Sequence, residues 1–285
     1  MGTITVDDGT ALHYRDAGSG PALLFHPGFA NNLDLWNWLV AELAPTHRCI
    51  TFDPRGHGAS DKPDSDYALD ELGRDLVAIA ERLDLHDVTV VGHSLGGAVA
   101  TQAVLGHNQE RRISRLALVG PAVPALIVGS EGAPGMPADA YAGLSAALAA
   151  DYVGLLLGIV DNFYHQTPAA TGTWLAGKCL DLPVHLGLRY FAHAADIDYR
   201  ERLHEVDVPV LVMWGAHDRI ADPRWADWLR EQNLSGWQVE TLNDSGHGAM
   251  VDEPGRMADL LRAFVREPEP AGRRGQAPTT SEGRR

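Results

Sequence analysis

The chain has 285 residues, 45% of them hydrophobic, which suits one large α/β domain with room for an insertion. Its 38 acidic and 23 basic side chains leave a formal charge of −15, a balance that repels phosphate backbones and anionic bilayers. Nucleic acid and membrane are therefore not expected as partners, and neither Cys49 and Cys179, far apart in the chain, nor any other residues show metal-ligand spacing.

The opening Met1-Gly2-Thr3-Ile4-Thr5-Val6-Asp7-Asp8 has neither a basic nor an apolar leader run, and no stretch reaches membrane-spanning length. With so few cysteines, a cytoplasmic, reducing setting is expected. Residues 3–6 and 12–15 bracket Asp7-Asp8-Gly9-Thr10 and read as an edge hairpin. Residues 22–25 form an apolar strand that runs into the loop His26-Pro27-Gly28-Phe29-Ala30. A helical stretch at 33–43 and a strand at Arg48–Phe52 follow, then Asp53-Pro54-Arg55-Gly56-His57-Gly58-Ala59-Ser60. Leu69, Leu72, Leu76, Ile79, Ala80 and Leu83 trace one helical stripe.

The next stretch carries the chemistry. Val88-Thr89-Val90-Val91 is a buried strand, Gly92-His93-Ser94-Leu95-Gly96 a very tight turn, and Gly97-Ala98-Val99-Ala100 the start of a helix. A serine at such an apex sits in strained backbone with its hydroxyl exposed above the sheet. The flanking glycines let strand and helix close on each other, and the helix start aims free N–H groups at a developing anion. Ser94 is thus a candidate nucleophile. His93 is expected to pack beside the turn.

A strand at Ile113–Val119 ends in Gly120-Pro121, and strand signals then stop until about Val208. The intervening 122–202 is rich in alanine, leucine and aromatics, with helical stretches at 140–160 and 173–194 and a flexible stretch at 131–137. It reads as a helical cap inserted into a core made of 1–121 and 203–266. Leu126–Val128, Leu155–Leu157, Ile159, Phe163, Tyr164 and Trp174 suggest an apolar roof over a small-molecule carbonyl substrate. The alternation resumes with a strand at 208–214, a helix at 223–231, a strand at Trp237–Leu242 and a helix at Pro254–Arg266. From 267 to 285 the composition is that of a disordered tail.

A serine needs a base, and the base needs a carboxylate to orient it. His247 in Asn243-Asp244-Ser245-Gly246-His247-Gly248 follows the last strand, and the glycines leave its ring room to reach across. Asp218, in Trp214-Gly215-Ala216-His217-Asp218, follows the strand before it. Asp222 reads as a helix cap, His217 as a loop residue, Arg55 and His57 as braces of their own loop, and Trp225 and Trp228 as core or cap contacts.

With Ser94, Asp218 and His247 in that order, the chain resembles the α/β-hydrolase superfamily over about residues 2–266. Asp53-x-Arg55-Gly56-x-Gly58-x-Ser60 and the His26–Phe29 loop are similar to further turns of that family. The resemblance implies a mostly parallel eight-stranded sheet with helices on both faces and an inserted cap. It also implies an oxyanion hole formed by the backbone N–H groups of Phe29 and Leu95, and no cofactor.

Family members that make alkyl-ester intermediates place aspartate where Ser94 stands, so serine favours acyl transfer on an ester, thioester, lactone or a C–C bond beside a carbonyl. Three alternatives remain open at this point: a cofactor-free haloperoxidase or perhydrolase, a non-hydrolytic cyclase, and a ligand-binding protein on the same fold. Since the candidate groups all lie outside 122–202, the cap is expected to set substrate choice and not chemistry.

Overall fold

The computed structural model describes residues 1–127 and 134–266. Val128, the 131–133 part of the flexible stretch and the expected tail at 267–285 lie outside the described residues. The edge hairpin is β1 (Gly2–Thr5) and β2 (Ala11–Ala17), followed by β3 (Ala22–His26). A 3₁₀ turn at Leu33–Trp36 leads into α1 (Asn37–Leu43), then β4 (Arg48–Phe52), α2 (Leu69–Arg82), β5 (Val88–His93), α3 (Leu95–His107) and β6 (Ile113–Val119).

Between β6 and β7 stand α4 (Ala138–Ala150), α5 (Tyr152–Gly158), α6 (Val160–Phe163), α7 (Ala169–Lys178) and α8 (Val184–His193). The chain then completes β7 (Val210–Gly215), α9 (Arg224–Glu231), β8 (Trp237–Leu242), α10 (Ala249–Asp252) and α11 (Pro254–Arg266). Where a single helical stretch is expected at 140–160, the chain bends twice. Asp151 ends α4 and caps α5 by accepting the Gly154 N–H at 2.8 Å.

The eight strands form one sheet in the order β1-β2-β4-β3-β5-β6-β7-β8. β2 is antiparallel to β1 and β4, and the remaining pairs are parallel. Period-two alternation divides the core between the two faces. Leu24, Val90, Leu116 and Val212 pack with α2 and α3 on one side. Phe25, Val91, Ala117 and Leu211 pack with α1, α10 and α11 on the other. Four of the six residues in the α2 stripe, Leu72, Leu76, Ile79 and Ala80, are fully buried against that core.

From β3 the chain moves outward to β4 and then returns to place β5 on β3's other side, with His26 paired to Gly92. This reversal opens a crevice above the carboxyl ends of β3 and β5, the place where open α/β sheets receive ligands. Among the described residues no single helix is long and apolar enough to cross a membrane.

Candidate active site

β5 delivers Ser94 into that crevice. Its backbone is held at φ 54° and ψ −122°, a left-handed excursion that costs a non-glycine residue on the order of 1–3 kcal/mol. β6, the segment after it and the first turn of α3 hold it there. The Ser94 N–H donates to Val119 O at 3.0 Å, and its carbonyl accepts from Gly97 N (2.9 Å) and Ala122 N (3.0 Å). The strand–helix approach needs its glycines, since a Cβ on Gly92 would stand 2.6 Å from the Gly96 carbonyl oxygen.

β7 and β8 supply the other two candidates. Asp218 is fixed through Oδ1, which accepts the N–H groups of Ile220 (2.8 Å) and Ala221 (2.9 Å). Its Oδ2 meets His247 Nδ1 at 2.8 Å, with both side chains at most 1% exposed. That contact assigns the proton to Nδ1 and leaves Nε2 as the basic lone pair. The geometry thus brings Ser94, Asp218 and His247 to one cavity.

His93 packs beside the turn as expected. It is fully buried, its Nε2 donates to the His247 carbonyl at 3.2 Å, and its ring lies 4.6 Å from that of His247. Burial, with the neighbouring His247, holds it neutral far below its usual range.

Phe29 and Leu95 line the same cavity. Gly28 abuts the nucleophile so closely that a Cβ there would lie 2.9 Å from Ser94 Cβ, which brings the next residue, Phe29, alongside. Among the described residues the Phe29 N–H enters no turn or loop hydrogen bond. Leu95 opens α3, where first-turn N–H groups have no helical acceptor. Asn31 secures this loop by donating from Nδ2 to Phe29 O at 3.1 Å.

The cavity measures about 820 Å³. Its walls are mostly apolar and include Leu126, Leu148, Leu155, Leu156, Ile159 and Phe163 from 122–202. Three residues expected in the roof are absent from the lining. Leu157 is 40% and Trp174 43% exposed, each turned to the outer side of its short helix, and Trp174 lies edge-on to Trp38. Ile127 is half-buried and absent from the lining, whereas Trp225 is both buried core and cavity wall. Cys179 also lines the cavity, but burial pushes its thiol up to about 12, so it is protonated and no rival nucleophile.

The loop after β4 braces itself. Arg55, 2% exposed, grips both Asp75 oxygens at 2.6 Å and also pairs with Asp8 and Glu71. His57 Nδ1 donates to Arg55 O at 2.9 Å, and His26 Nδ1 donates to Pro27 O at 2.8 Å. Burial lowers both histidines to about 4. Asp222 accepts the Arg224 N–H at the start of α9, in the manner of a cap, and His217 is an exposed loop residue stacked on His165.

Sequence reasoning missed the two carboxylates just beyond His247. Glu253 Oε2 accepts Asp244 N (2.9 Å) and Ser245 Oγ (2.5 Å), and Asp252 accepts Gly246 N (2.9 Å). Their places five and six residues after a glycine-flanked histidine were a signal for these contacts within the loop only. Among the described residues no group of three or more His, Cys, Asp or Glu could hold a metal ion.

An eight-stranded, mostly parallel sheet with a serine strained at a strand–helix elbow and a buried carboxylate–histidine pair at neighbouring strand ends defines the α/β-hydrolase architecture. The model of the alpha/beta hydrolase fold family matches residues 21–254, and the chain belongs to that family. It is 29% identical to a non-heme chloroperoxidase of Streptomyces lividans, over 93% of this chain and 100% of that protein. A non-heme haloperoxidase of Rhodococcus erythropolis is 31% identical, over 77% of this chain and 83% of its own length. Among solved structures, an esterase from Exiguobacterium antarcticum superposes with a TM-score of 0.87 at 27% identity, covering 93% of this chain and 99% of that one.

Proposed function

We propose that this chain is a serine hydrolase that cleaves an ester, thioester or lactone of an apolar or aromatic acid through an acyl-enzyme on Ser94. The observation that carries this reading is the 2.8 Å Asp218–His247 contact opening onto the same apolar cavity as Ser94. Ser94 Oγ attacks the carbonyl carbon and passes its proton to His247 Nε2. The carbonyl oxygen, now an alkoxide, takes hydrogen bonds from the Phe29 and Leu95 N–H groups. His247 then protonates the departing alkoxide or thiolate. It next takes a proton from water, whose oxygen attacks the acyl carbon, and returns the proton to Ser94 as the acid leaves. Asp218 holds the tautomer and offsets the imidazolium charge throughout.

In this reading 122–202 forms the cap, 1–121 with 203–266 the core, and the cap's apolar side chains keep bulk solvent from the reacting carbonyl, which strengthens the oxyanion-hole hydrogen bonds while the single attacking water is admitted. The free thiols of Cys49 and Cys179 suit a reducing, cytoplasmic setting. The test is turnover of p-nitrophenyl esters, thioesters and lactones by the native chain and by Ser94→Ala. Ser94-dependent release of the free acid is expected, and equal turnover by the variant would defeat the reading.

A second reading rests on the relatives named as chloroperoxidase and haloperoxidase. Hydrogen peroxide would replace water in attacking the acyl-enzyme, giving a peracid that oxidises halide. Adding peroxide and a short carboxylic acid to the same assays, with Ser94→Ala as control, separates the two outcomes.

A further inference from the structure

His247 is gripped by the cap on both sides. The N–H of Gly248 donates to Phe163 O at 2.8 Å, and the Phe163 ring stands edge-on to the His247 imidazole at 5.0 Å. On the other side, Asp252 joins the two units with a single carboxylate. Its Oδ2 accepts Gly246 N from the histidine loop and His165 N from the cap, each at 2.9 Å. Its Oδ1 accepts the N–H groups of Gln166 (3.0 Å) and Thr167 (2.9 Å) and the Thr167 hydroxyl (2.7 Å).

Asp252 forms no salt bridge among the described residues. Its carboxylate is instead met by five neutral donors, four of them from the cap. Hydrogen bonds to an ionised carboxylate are about twice as strong as neutral ones, and four of these would be surrendered if residues 163–167 lifted away. The glycines beside His247 fit the same account. A Cβ on Gly246 would lie 2.8 Å from Phe163 O, and one on Gly248 would run into the Tyr164 ring. Their missing side chains give cap backbone access to the histidine loop, more than they give the histidine ring room to swing.

We propose that Asp252 is a positioning residue that places His247 through the cap, so that the base is aligned only while residues 163–167 are docked. This rests on His247 being the base, and it changes the cap from a mere substrate filter into part of the machinery. Hydrolysis of the acyl-enzyme would then be coupled to closure over the apolar cavity. A displacement of about 1 Å in a reacting group is enough to cost roughly 10²-fold in rate.

The test compares Asp252→Ala, Asp252→Asn, Thr167→Val and His247→Ala in the full chain. Three readouts are kcat and KM on p-nitrophenyl acetate, the rate of Ser94 labelling by a fluorophosphonate, and the low-field proton NMR signal of His247 Nδ1–H. Asp252→Ala is expected to lower kcat and labelling together by tenfold or more, with KM changed less than about threefold, and to broaden or shift the Nδ1–H signal. Asp252→Asn keeps one acceptor oxygen and should fall between it and the native chain. Thr167→Val removes one cap-side bond only and should lower kcat in the same direction even if Asp252→Ala does not fold. Trp174→Ala, on the outer cap surface, should leave all three readouts unchanged. Native kcat, labelling and Nδ1–H signal in folded Asp252→Ala, or in Thr167→Val where the former does not fold, would overturn the proposal. If His247→Ala itself keeps native turnover, the assignment of the base fails instead, and the two failures are distinct.

Discussion

Gly120 lies directly against His247: a Cβ on it would stand 3.0 Å from the imidazole Nδ1 and 3.1 Å from Asp218 Oδ2. Its φ of +45° is also a conformation that side chains resist. The carboxyl end of β6 is thus kept bare so that the pair from β7 and β8 can cross it. Gly120→Ala should fold with a loss of about 1–2 kcal/mol and displace the pair by a few tenths of an ångström. Labelling of Ser94 should slow by about tenfold to a hundredfold, measured beside a thermal melt. Unchanged labelling at an unchanged melting temperature would mean that the contact carries no positional role.

Asp218→Asn tests the tautomer. Oδ1 is committed to the Ile220 and Ala221 N–H groups, so an asparagine must keep its oxygen there and turn its NH₂ toward His247. Nδ1 then becomes the acceptor and Nε2 carries the proton, the wrong arrangement for a base. By analogy with the serine-protease case, kcat should fall about 10⁴-fold with the fold intact. A fall of less than tenfold, measured by steady-state turnover, would point to another carboxylate.

Much of this site could be read along the chain because each component sits in a local pattern. The strand–Gly–x–Ser–x–Gly–helix stretch, the Gly-x-x-Asp loop and the glycine-flanked histidine are all short. The alternation of strands and helices brings their ends to one edge of the sheet. Three things were not legible. Bends in α4 to α6 leave no periodic trace in a segment so uniformly rich in alanine and leucine. Trp174 and Leu157 are apolar, but in these helices both the cavity side and the solvent side carry apolar residues. The Asp252 clamp joins residues far apart in sequence, and a lone aspartate carries no sign of which distant N–H groups it will meet.

Acid should destabilise the chain before carboxylates titrate. Burial lowers His26 and His57 to about 4, against an unfolded value near 6.5, so both are neutral well below the usual range, and His93 is lowered as well. A depressed histidine means that the unfolded chain binds the extra proton. Stability is therefore full above about 6.5 and falls as pH drops toward 4. Urea midpoints from pH 8 to 4.5 should decline over that window. His57→Phe keeps an aromatic ring against Tyr190 and should make the decline shallower by one proton. An identical slope in the variant would remove His57 from this account.

Cavity length should set acyl preference. Leu148 and Leu156 are buried at 1% and 4% exposure and meet the cavity from α4 and α5, away from Ser94's own strand. Replacing Leu156 by Trp adds bulk to that wall without touching Ser94, Asp218 or His247, at an overpacking cost of about 1–3 kcal/mol in stability. Each buried methylene contributes about 0.8 kcal/mol, so excluding two of them from the cavity should lower kcat/KM by roughly tenfold. Across p-nitrophenyl esters from acetate to decanoate, Leu156→Trp should leave the acetate within about twofold and reduce the octanoate and decanoate progressively. The fluorophosphonate labelling rate should stay near native, because the small probe does not reach the filled end. A uniform loss on every ester would place Leu156 in support of the reacting groups and not in the chain-length pocket.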